Sequence, residues 1–185
     1  MIELLLSTML VAISALAGVL ITYFTRIELK TYKKDIGSFR LFLLAIIILA
    51  SSFFGYYAPL SIGGLAVGII AGYFLRNFRQ IFYEWFWLGV LLGSSFAFDH
   101  TVGMVTALLL AIYNMIAAGY ANIPAVLKRI SESKERVIEQ IMFIACAIVS
   151  YAALSTHGTI VSSAAVYVAV AALIWVFVRD VFLIK

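Results

Sequence analysis

Residues 1–40 read MIELLLSTMLVAISALAGVLITYFTRIELKTYKKDIGSFR, and this stretch decides the fold. From Leu4 to Phe24 the chain carries no charge, and a helix of about 20 residues is what the roughly 30 Å hydrocarbon core of a bilayer requires. Directly behind the run come Arg26, Lys30, Lys33, Lys34 and Arg40, set against only Glu28 and Asp35. Basic residues beside a span are retained in the cytoplasm during insertion. The pair of segments therefore predicts a first helix that starts outside and ends inside. It lacks the basic leader of a secretory signal and its apolar run is too long for one, so it is expected to persist as a membrane span.

The same reading extends to the C-terminus. Apolar stretches over residues 41–56, 60–75, 82–98, 101–120, 137–154 and 159–178 follow the first at 4–24. With seven crossings, all thirteen Lys and Arg residues fall on one side, in the segments after the first, third, fifth and seventh helices. Trp85, Trp87 and Trp175 fall near that same side, as interfacial aromatic rings do. The expected fold is all-α: a polytopic integral membrane bundle of about seven transmembrane helices in a single domain, N-outside and C-inside, in the cell membrane. With 65% apolar and 12% charged residues, the chain lies outside the range of soluble globular domains.

Local signals set expected boundaries. Ser38 after Gly37 is read as the N-cap of the second helix. Pro59 is read as turning the chain after it, and Asn122 with Pro124 as ending the fifth helix. The helices at 41–56 and 60–75 are short for full crossings. Segments 26–40 and 125–139 are read as cytoplasmic loops, able to dock membrane-complex partners or a second copy of the chain. The net charge of +4 is absorbed by topology, so no nucleic-acid partner is expected; the bilayer is the expected environment. Cys146 stands alone, which excludes an internal disulfide and a thiolate metal centre. No metal or cofactor is expected.

Few residues carry chemistry. Gly64, Gly68 and Gly72 recur at four-residue spacing in the third helix, and Gly89 and Gly93 in the fourth. Such spacing lines one helix face with small residues and admits close backbone approach. The third helix is expected to pack on the fourth through them. Asn114 is the one amide well inside a span and needs a partner on another helix. Glu84 is expected to pair with Arg76 or Arg79 at the surface, leaving no strong ionisable candidate within the hydrocarbon. Asp99, His100 and His157 sit at outer hairpin tips, where imidazole and carboxylate are able to pass protons or hold zinc. No HExxH or GxSxG motif accompanies them, which weighs against an enzyme. The leading expectation is a transporter or channel subunit for an ion or small solute. A membrane scaffold is the alternative, and an intramembrane enzyme using Asp99, His100 and His157 the third.

Overall fold

The computed structural model describes the backbone of residues 1–54, 58–75, 80–128 and 133–183, and the side chains of residues 1–25, 32, 35–53, 63–71, 84–120 and 138–182. Seven helices and no strands occur among the described residues: α1 Ile2–Phe24, α2 Arg26–Phe54, α3 Ala58–Leu75, α4 Gln80–Phe98, α5 His100–Lys128, α6 Ser133–Leu154 and α7 Gly158–Leu183.

Four stretches, Ile2–Phe24, Asp35–Phe53, His100–Tyr120 and Gly158–Phe182, are long and apolar enough to cross a membrane, and Glu84–Phe98 and Ile138–Leu154 are shorter apolar helices. α1 shows why the bundle belongs in lipid. Its buried face is Leu4, Thr8, Val11, Ala15, Gly18 and Thr22, yet Leu5, Leu6, Met9, Ile13, Leu16 and Leu20 lie exposed on the rest of the helix. A water-soluble helix would carry polar side chains there.

Side-chain contacts fix the direction of every helix. Glu3 meets His100, Val11 meets Asn114 and Gly18 meets Met115, so α1 and α5 run parallel. Gly64 lies against Ala164 and Gly68 against Val168, making α3 parallel to α7. Gly89 lies against Phe143 and Gly93 against Ala147, making α4 parallel to α6. By contrast α4 opposes α5, through Glu84 with Tyr113 and Phe96 with Gly103. α2 likewise opposes α7, through Arg40 with Asp180 and Ser52 with Tyr167. Odd-numbered helices thus run one way and even-numbered helices the other. One face of the bundle, here the tip face, carries Met1 and the α4–α5 and α6–α7 turns. The opposite face, here the basic face, gathers the helix ends beside which the sequence places its Lys and Arg residues.

Several boundary expectations are corrected. α2 begins at Arg26, so Ser38 lies inside the helix and does not cap it, and 26–40 is a helical extension of the second span. α5 continues through Asn122 and Pro124 to Lys128, and α6 already starts at Ser133, so most of 125–139 is helix too. Asp180, expected beyond the seventh helix, lies within α7.

At Gly64, Gly68, Gly89 and Gly93 a neighbouring backbone comes close, and the neighbours differ from those expected. Among the described residues the α3 glycines meet α7 and not α4: a Cβ on Gly64 would stand 2.7 Å from the Ala164 carbonyl oxygen. α4 packs its own glycines on α6, where a Cβ on Gly89 would stand 2.5 Å from the Phe143 oxygen. The surroundings of Gly72 lie outside the described residues. With α5, α6 and α7 around it, α4 is central. Leu88, Leu91 and Leu92 from α4 join Leu44, Leu110, Phe143 and Leu173 in one buried apolar core.

Candidate functional site

Toward the basic face, four helices contribute to one buried ionic cluster. Arg40 lies five residues into the Asp35–Phe53 span, where its side chain turns into the bundle and is only 17% exposed. Its Nε donates to the Tyr113 hydroxyl at 3.0 Å. Its Nη2 donates to Glu84 Oε2 at 2.6 Å and lies 3.2 Å from Asp180 Oδ2. Tyr113, fully buried, donates its hydroxyl proton to Glu84 Oε1. From the adjacent position on α7, Arg179 donates through Nε to Asp180 Oδ1 at 2.8 Å, with Nη2 at 2.7 Å. Two guanidinium groups and two carboxylates make the cluster neutral, as removal from water demands.

Aromatic rings wall it in. The Arg40 guanidinium carbon stands 5.9 Å from the centre of the Tyr113 ring, within cation–π range. Trp85 packs against Tyr113 at 6.4 Å and meets Phe143 of α6 edge-on at 6.2 Å. Such surroundings strengthen each charge–charge contact and make each broken one costlier. Glu84, expected at the surface with Arg76 or Arg79, is instead buried and pairs with Arg40 and Tyr113; Arg76 and Arg79 lie outside the described residues. In the sequence Arg40 stands only as a marker of sidedness and Asp180 only as a charge beyond the last span, and neither they nor Tyr113 are among the candidate site residues.

Asn114 follows Tyr113 on α5 and faces away toward α1 and α6. Its Nδ2 donates to the Val11 carbonyl at 2.7 Å, and Asn114 and Gln140 exchange amide hydrogen bonds at 3.3 and 3.4 Å. Asn114 is fully buried, and Glu139, the residue before Gln140 in α6, is buried as well. Three helices are joined there by one amide, as its place in a span required. Gln140 supplies the partner that the sequence did not name.

At the tip face the polar residues serve the turns. Asp99 caps α5: its Oδ1 accepts from the backbone N–H of Thr101 at 2.7 Å and of Val102 at 3.1 Å, the geometry of an N-cap. Those bonds, Val102 first and Thr101 second, hold the exposed Asp99 carboxyl below its ordinary range. His100 Nδ1 meets Glu3 Oε2 at 2.7 Å, on exposed side chains, and its ring stands edge-on to Phe96. His157 lies exposed in the α6–α7 turn, which Gly158 completes with a φ of +81° that other residues rarely adopt. Among the described residues no three His, Cys, Asp or Glu side chains gather closely enough to hold a metal ion. The hydroxyls of Ser94 and Ser162 donate to carbonyls of their own helices. Ser95 Oγ is buried with no hydrogen-bond partner among the described residues.

Comparison of the chain with protein-family models, with curated proteins and with solved structures finds no match.

Proposed function

We propose that this chain is a transporter or channel subunit that carries an ion or a small solute across the cell membrane. In this reading the basic face lies in the cytoplasm, and the Arg40–Glu84–Tyr113–Asp180 cluster closes the path there. The observation that supports it is the cluster itself, which sets a buried charge network beside a core of packed apolar side chains. Ionic groups are a poor way to hold such a bundle, since well-packed apolar residues do so equally well or better. Ionisable residues inside membrane helices instead mark pathways and the gates across them.

The cluster also sits where a gate would act. α2 and α7 supply Arg40 and Asp180, and α4 and α5 supply Glu84 and Tyr113. Breaking the contacts of Arg40 to Glu84 and Tyr113 would remove the side-chain hydrogen bonds by which Arg40 ties the first helix pair to the second at that end. Reconstitution into proteoliposomes tests the reading: the intact protein is expected to move an ion or small solute above the rate of empty vesicles. Arg40 and Glu84 substitutions are expected to change that rate. Vesicles that stay tight to cations, anions and small neutral solutes would contradict it. That result would favour a scaffold, a reading to which the apolar side chains filling the described centre, Leu44, Leu88, Leu91 and Leu173, also conform.

A further inference from the structure

Charge balance in the cluster narrows what would move. Glu84 Oε2 and Asp180 Oδ2 both approach one nitrogen of Arg40, so the two carboxylates of α4 and α7 face each other across a single cation. Arg40 holds that place on a flexible side chain anchored in α2. If it withdraws, Arg179 alone remains for two carboxylates, and an unpaired carboxylate at such a depth is strongly disfavoured. An anionic solute would deepen the imbalance, and a neutral one would leave it. A cation restores it.

Resting on the transport reading above, we infer that Glu84 and Asp180 form a binding site for a small monovalent cation, protons included, which Arg40 occupies in the closed state and yields when the path opens. Each wall of the site fits that occupant. Tyr113 of α5 offers a hydroxyl oxygen and a ring face to a cation. α7 adds Arg179, which stays on Asp180 and fixes that carboxylate's position. α6 closes the wall behind Tyr113 with an aromatic ring, Phe143 standing edge-on to Trp85. The site therefore accepts one positive charge at a time, either the tethered guanidinium or a cation from solution.

Chemical rescue tests the site apart from transport. The full-length Arg40→Ala protein in detergent is heated with low-millimolar guanidinium chloride, sodium chloride or potassium chloride, at neutral and at mildly acidic pH, with urea as control. At least one of these cations is expected to raise its unfolding temperature by several degrees. It is expected to leave the wild type and the Arg40→Ala/Glu84→Gln/Asp180→Asn protein unchanged. If none of the cations and no acidification rescues Arg40→Ala, the inference is overturned.

A second measurement uses the wild type and stands even if Arg40→Ala fails to fold. Proteoliposomes are expected to pass protons, sodium, potassium or guanidinium, and Glu84→Gln and Asp180→Asn to reduce that flux at least tenfold. Flux of anions or neutral solutes alone would overturn the cation site and leave the transport reading standing. Rescue of Arg40→Ala without any flux would support the site and overturn the transport reading.

Discussion

Replacing Arg40 with methionine keeps the bulk of the side chain and removes its charge and donors. Three contacts go: Tyr113 at 3.0 Å, Glu84 at 2.6 Å and Asp180 at 3.2 Å. Asp180 retains Arg179, whereas Glu84, 7% exposed, keeps the Tyr113 hydroxyl and loses its cation. Removing one partner of a buried ion pair costs about 3–5 kcal/mol; with Asp180 still paired, the lower end, about 3 kcal/mol, is expected. For a chain of this size that corresponds to a fall of about 6–12 °C in the unfolding midpoint. Cys146, the sole cysteine and half-buried in α6, gives the assay, since a thiol-reactive fluorophore reports its exposure on heating. The decisive arm is Arg40→Met/Glu84→Gln. Glu84→Gln alone is expected to cost about 1–3 kcal/mol, but in the double variant no carboxylate is left uncompensated. The double variant should therefore be no less stable than Arg40→Met. If the two losses simply add, the residues are not coupled, and the buried pairing is wrong.

Other positions give independent checks. A Cβ on Gly68 would run into the Val168 carbonyl and stand 2.6 Å from the Ala171 Cβ, so Gly68→Ala should cost about 1–3 kcal/mol. Gly63 faces open space, and Gly63→Ala should stay within about 0.5 kcal/mol; equal effects in thermal unfolding would refute the α3–α7 contact. Asn114→Leu removes the bonds to Val11 and Gln140 and is expected to cost about 1 kcal/mol, with a smaller loss when Gln140→Leu accompanies it. The carboxyl of Asp99 is held below its ordinary range by the amides it caps. Its stabilising effect is therefore complete above the ordinary carboxylate range and lost as pH falls through the lowered value. Asp99→Asn, which still caps, should flatten the acid limb of the stability–pH curve, and an unchanged limb would exclude the cap as its source.

The span Leu4–Phe24 was legible because a helix apolar on all faces has only the bilayer in which to lie. That same uniformity hid the packing. Leu4 and Val11 are buried and Leu5 and Met9 exposed, yet nothing in their chemistry separates a residue facing lipid from one facing protein. The glycine rows announced close approach for the same reason that they could not name its partner: a bare backbone fits α7 as well as α4. Asn114 was legible as a residue needing a partner, since an amide in hydrocarbon has no water to bind. Arg40 was misread because it closes a run of five basic residues and so counted as a marker of sidedness. Its partners lie on α4, α5 and α7, far along the chain. Glu84 was assigned to Arg76 and Arg79 on sequence proximity, although a helix start displays some side chains inward whatever its neighbours in sequence.

In the topology proposed above, seven helices alternate through a membrane with the Arg40 cluster at the cytoplasmic end. Single cysteines at Glu3, His157, Tyr32 and Phe182, all exposed, in a Cys146→Ser background test it most directly when intact cells meet a membrane-impermeant thiol reagent. Labelling is predicted at 3 and 157, and at 32 and 182 only after the membrane is opened. Labelling that put 3 and 157 in different compartments, or 32 and 182 outside, would contradict it.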